Sequence, residues 1–200
     1  MAIGFKEWAL VCEALGSGHQ SLLLRKGGVA EGPEGFRGFG FEHGEFFLFP
    51  TWYHGQVEKV RYEQAVLPDQ VPDRVTVNYA ATIEWSGLIT NKEAVRHLSE
   101  LHVLDASVIE ERFEYKTGKK LENNPHSPGG IHVAFVRIYR MEPPVGFPME
   151  KRFGGCRSWV ELPEIVPEAL VSVLSDEEHE RRRHRFAKIL GVNLTKSGNS

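Results

Sequence analysis

"VTVNYAATIEW", residues 75–85, decides what kind of fold this chain builds. Val75, Val77, Tyr79, Ala81, Ile83 and Trp85 occupy one parity, and Thr76, Asn78, Thr82 and Glu84 occupy the other. That is the period-two pattern of a half-buried strand, with one face in the core and one in water. Upstream, residues 7–15 and 20–26 are apolar runs separated by Gly16-Ser17-Gly18-His19, which reads as a hairpin between two strands. "EFFLFPTWYHG" reads as a third strand closed by Pro50, after a glycine-dense surface loop from Gly27 to Glu45. Residues 57–66 suit a short helix.

Downstream, Thr90-Asn91-Lys92-Glu93 has the Thr-x-x-Glu form of a capping box, with Ala94, Val95, Leu98 and Leu101 at helical spacing behind it. Asp105 caps a second short helix through about Arg112. "NNPHSPGG" is a loop, "IHVAFVRIYRM" is apolar on both parities like an interior strand, and another strand is expected around Cys156 to Leu162. Ser175-Asp176-Glu177-Glu178 opens a last helix whose charge runs from acidic to "ERRRHR", complementing the helix dipole, and Gly191 ends it. This order is too irregular for a doubly wound fold. It predicts an α+β protein with a mixed, largely antiparallel curved sheet and helices, for which a small barrel-like core is one option. Residues 1–191 read as a single α+β domain, and 192–200 as a frayed C-terminal tail.

Two hundred residues with 41% apolar content supply a core for one such domain. The formal charge of −3 excludes a generally basic protein that coats nucleic acid, so any polyanion site must be a local patch. Cys12 and Cys156 have neither disulfide-framework nor zinc-ligand spacing. Lys6, Glu7 and Glu13 interrupt the N-terminal apolar run, and no 18-residue apolar stretch occurs, so neither a signal peptide nor a membrane span is expected. A cytoplasmic protein follows. No cofactor is implied: Gly-x-Gly-x-x-Gly opening a helix and Gly-Lys-Ser/Thr are both absent.

Three combinations of arginine with aromatic residues recur. Arg25, Lys26, Gly27 and Gly28 stand where an apolar strand meets a glycine corner, and glycines let backbone N–H groups approach an anion such as phosphate. Trp52, Tyr53 and His54 end the third strand with ingredients for base stacking. Arg137 shares a face with Tyr139 in "VRIYR", and Arg157 does so with Trp159 in "GCRSWVEL". Together, Arg25, Lys26, Gly27, Gly28, His54, Arg137 and Arg157 are candidate anion ligands, and Trp52, Tyr53 and Trp159 candidate stacking residues. The pocket they would form suits single-stranded nucleic acid or a nucleotide. One alternative is a metal-dependent nuclease using Glu114-x-Lys116 with Asp105 upstream. A small-molecule enzyme or protein-interaction domain is the other. The bland reading of Arg137 is a structural ion pair with Glu110, Glu111 or Glu114.

The motifs "FKEWALVCEAL", "LLLRKGG", "FFLFPTWYHG", "LHVL" with "ERFEYK", "VRIYR" and "GCRSWVEL", over roughly residues 5–162, resemble a prokaryotic family catalogued as domain of unknown function 1802. The resemblance carries across no assigned catalytic residues. The expected curved sheet with arginine and aromatic residues at strand ends also looks like RNA-binding domains of the pseudouridine-synthase-and-archaeosine type, an analogy of fold alone.

Overall fold

The alternating stretch at 75–85 lies within the 16-residue strand β4 of a computed structural model that describes residues 2–26, 40–63, 66–114, 129–155 and 157–194. In chain order the elements are β1 (Ala2–Trp8), α1 (Ala9–Gly16), β2 (Leu22–Lys26), β3 (Glu45–Thr51), β4 (Arg74–Ile89), α2 (Lys92–His97), α3 (Ala106–Glu114), β5 (Ile131–Pro148), β6 (Trp159–Leu162), β7 (Ala169–Ser172) and α4 (Asp176–Leu190). The strands form one mixed sheet in the order β2-β5-β4-β3-β1-β6, with β7 also on β5. Among the described strands, only the β1–β3 pair is parallel. The fold is therefore α+β with a largely antiparallel sheet.

β4 and β5 are long enough to span two cores. Register shifts between Val77 and Tyr79 and between Ile83 and Trp85 bend β4, as bulges do. On one side of the first shift, Val75 and Val77 pack with Phe49, Met141, Phe147 and Phe153. On the other, Ala81 joins a larger core that includes Phe5, Leu15, Leu23, Phe135 and Phe186. The sheet stays open, yet it curls until β2 at one end lies beside β1 near the other. The clearest sign is Arg25 of β2, whose Nη2 donates to the Lys6 carbonyl of β1.

The structure corrects the first expected hairpin. Residues 9–16 form helix α1, because the chain turns at Trp8 and buries Ala9, Leu10, Val11, Cys12, Ala14 and Leu15. Such a short, almost wholly apolar run has no periodicity to separate a buried helix from a strand. Other boundaries move by a few residues. The cap of α2 is Asn91, which accepts from the Ala94 N–H, rather than Thr90. Residues 54–59 form a short 3-10 helix in place of the helix expected at 57–66. Ser175 caps α4 by accepting from the Glu178 N–H, and Gly191 closes it at φ +64°. Val192 and Leu194 still pack against the core. No helix among the described residues is long and apolar enough to cross a membrane.

Candidate functional site

The open seam between β2 and β1 gathers the most unusual chemistry. In an extended strand Phe5 and Glu7 share one face, and Lys6 and Trp8 share the other. Glu7 is 1% exposed, so its carboxylate must be met by protein groups. Its Oε1 accepts from the Trp8 N–H at 2.8 Å, and its Oε2 lies 3.9 Å from Arg25 Nε. Arg25 lays its guanidinium 4.6 Å from the centre of the Phe5 ring.

A second arginine completes the group. Arg112 of α3 is 4% exposed, donates to the Leu24 carbonyl at 2.5 Å and lies 4.8 Å from the Trp8 ring. Burial pulls its pKa down to about 10; the Glu7 charge resists this and the Arg25 charge adds to it. It is still a cation at neutral pH. Two arginines against one buried carboxylate leave the seam with an excess positive charge.

Aromatic side chains wall the same place. Trp159 of β6 pairs across from Phe5 and meets its ring edge-on at 4.8 Å. His43 packs edge-on against Trp159 at 4.8 Å, while Phe41 and Phe46 lie 5.6 and 5.3 Å from Phe5. Within this cluster two buried donors, Arg25 Nε and Trp159 Nε1, have no hydrogen-bond acceptor among the described residues. Such groups are rare in a folded protein because each forgoes the bond that water would have given it.

On the opposite face of β1, the Lys6 ammonium donates to the Gly154 and Gly155 carbonyls at 3.0 Å each. It borders an open cavity of about 420 Å³ that Thr51, Trp52, Lys151 and Phe153 also line.

The residues singled out from the sequence are distributed as follows. Arg25 and Trp159 meet at Phe5, and Trp52 lies in the cavity beside Lys6. Lys26 pairs with Glu111 at 3.2 Å. Tyr53 is exposed beside Lys59 and Trp8, and His54 and Arg157 are exposed. Arg137 lies elsewhere, bonded to Asp176 of α4 and to Ser172. It is five residues along β5 from His132, the partner of Arg25, or roughly 16 Å at strand rise. Its anionic partner is Asp176 rather than a glutamate of α3. Gly27, Gly28 and Lys116 lie outside the described residues.

Asp105 and Glu114 stand nine positions apart along α3, roughly 13 Å at helical rise. Asp105 accepts from the Ser107 N–H and hydroxyl, and Glu114 pairs with Lys92 at 2.9 Å. The two carboxylates are therefore not brought together around one metal. Glu7, Arg112, Phe41 and His43 were not anticipated. Arg112 could have been found, since it stands four positions after Val108 and three after Ile109, on the apolar face of its helix.

No curated protein matches the chain. Among solved structures, the ASCH protein from Zymomonas mobilis is similar at 12% identity with a TM-score of 0.43, covering 92% of this chain and 93% of that one. A mutant of the same ASCH protein gives a TM-score of 0.40 at 12% identity, covering 92% and 94%. The family model for "Domain of unknown function (DUF1802)" matches residues 4–185, from the start of β1 into the last turns of α4. With nearly its whole length accounted for, the chain belongs to the DUF1802 family.

Proposed function

We propose that the seam binds a nucleobase or nucleotide, most simply one presented by single-stranded nucleic acid. The observation that carries this reading is the aromatic cluster beside excess positive charge. The two donors within it that lack acceptors among the described residues, Arg25 Nε and Trp159 Nε1, are sealed in the free protein and reach a base only as the rings over them part. A nucleobase offers ring nitrogen and carbonyl acceptors on a flat apolar body, and its phosphate offers the anion. A bare phosphate has no use for the rings, and a purely apolar ligand none for the donors. Lys26 and Lys59, sharing Glu111, supply further cations near the end of β2. We also infer a cytoplasmic setting, which the absence of disulfide-framework cysteine spacing supports.

The test is fluorescence anisotropy with short labelled RNA and DNA oligonucleotides, accompanied by a thermal-shift panel of nucleotides. Binding should weaken as salt rises. Trp159→Phe keeps a ring but removes Nε1–H, and should weaken binding by about 1 kcal/mol, the net worth of one neutral hydrogen bond. Arg25→Ala should cost about 1.5–3 kcal/mol. Failure of every oligonucleotide and nucleotide to bind at low salt rejects the proposal.

A further inference from the structure

A second cavity, of about 320 Å³, lies between α2 and α3. Its volume is that of a small-ligand site, and at about 30 Å³ per water-sized unit it holds roughly ten non-hydrogen atoms. Val95, Ile109 and Phe113 supply apolar wall, and Ser99 and His102 are its polar members. Arg61, Lys92 and Arg96 line it against only two acids, Asp105 and Glu110. Lys92 pairs with Glu114 at 2.9 Å and Glu110 at 3.5 Å, Arg96 pairs with Glu93 and with Glu110 at 3.0 Å, and Asp105 is engaged by Ser107. Lys92 and Arg96 are thus offset by acids, and Arg61, bonded to backbone carbonyls, is the cation of the lining with no acidic ion-pair partner among the described residues.

His102 gives the cavity a directional donor. Its ring is 5% exposed, and Nδ1 accepts from the Leu104 N–H at 3.1 Å. In the neutral ring the proton must then sit on Nε2. Nε2 has no partner among the described residues, and it is not one of the sealed, unbonded atoms either, so it opens onto the cavity that His102 lines. Burial, with the charges of Arg61 and Arg112, holds the ring's pKa down to about 3. At neutral pH His102 is a donor and not an ion. Arg61 is held beside it by bonds to the Ser99, His102 and Leu104 carbonyls.

We propose that this cavity binds a small amphipathic monocarboxylate, its tail against Ile109 and Phe113 and its carboxylate accepting the His102 Nε2–H beside the Arg61 guanidinium. Octanoate, with ten non-hydrogen atoms, is the probe; acetate has the head without the tail, and 1-octanol has the tail without the charge. Titration calorimetry on the whole protein should show octanoate binding at least roughly tenfold more tightly than either, the worth of a charge-assisted bond or of a few buried methylenes. His102→Asn keeps an acceptor for the Leu104 N–H but removes the Nε2 donor, and Ala106→Trp narrows the cavity from the exposed start of α3. Each should weaken octanoate roughly tenfold while leaving oligonucleotide binding unchanged. The proposal is overturned if octanoate fails to bind at millimolar concentration, if 1-octanol binds as well, or if both variants bind octanoate like the unaltered protein.

Discussion

Acidification should expose the buried state of His102 directly. A histidine in an unfolded chain titrates near 6.5, whereas burial beside Arg61 and Arg112 lowers the folded value to about 3. Above pH 6.5 the ring is neutral in both states, and the stability associated with it is fully present. As the pH falls below 6.5 the unfolded chain takes up a proton that the folded protein refuses, so stability is lost until the pH passes the folded value. Each unit in that window costs about 1.4 kcal/mol, hence about 2.7 kcal/mol at pH 4.5. For a domain of this size that is a fall of roughly 5–10 °C in Tm attributable to one side chain. Urea denaturation of the unaltered protein and of His102→Asn at intervals from pH 7.5 to 4.5 isolates it, because His132 and the carboxylates are common to both. The unaltered protein should lose about 2.7 kcal/mol more than the variant across the series. Parallel pH profiles would refute the buried, neutral assignment.

Three other outcomes follow from packing. A Cβ on Gly16 would lie 1.9 Å from Tyr79 Cζ, so Gly16→Ala must drive the Tyr79 ring off α1 at a cost of about 1–3 kcal/mol. Burial, and then Glu13, raise the Tyr79 pKa to about 12, so the same variant should return its ultraviolet titration towards the ordinary value near 10; an unmoved titration contradicts the clash. Phe186→Ala should cost about 3–5 kcal/mol in urea denaturation, since its fully buried ring joins α4 to Trp85 and Phe135; a loss under 1 kcal/mol would mean that α4 is not anchored there. The Cys12 thiol is buried and its pKa is raised by burial, then by Glu7 and Glu13, so in a Cys156→Ser background a thiol reagent should label the protein only as it unfolds. Rapid labelling of the folded protein contradicts this.

The sheet was legible wherever one side of a strand faces water. β4 has such a face, and its alternation gave the fold class; the caps at Asp105 and Ser175 were legible because capping is a local reaction between a side chain and nearby backbone N–H groups. α1 was not legible. Six of its eight residues are buried, so its sequence says only that it is inside. β7 was missed because Ala169-Leu-Val is exposed on a short edge strand and presents no inward face. Nor could the parallel β1–β3 pair be read, since it joins segments separated by α1 and β2 through backbone bonds that no side chain specifies.

The site was half legible for a related reason. Arg25 and Trp159 announced themselves as a charge after leucines and a ring beside an arginine, but their meeting depends on the curl of the whole sheet. That curl also explains the partners the sequence concealed. Among the described strands, β6 pairs with β1 as far as Phe5 and β2 pairs with β5, so the Lys6 and Leu24 carbonyls face the seam with no described strand to bond them. Arg25 donates to the first and Arg112 to the second, so the two arginines stand in for missing ladder bonds. The seam is therefore held by the same cations that make it attractive to an anion. One consequence is that Arg25→Ala must reduce stability as well as affinity, and its binding loss alone cannot distinguish a ligand contact from a loosened seam. Trp159→Phe can. Nε1 has no partner among the described residues, so removing it relieves an unmet donor and should leave Tm unchanged or raised. If that variant binds oligonucleotides as well as the unaltered protein does, the unmet donors are not there for a nucleobase.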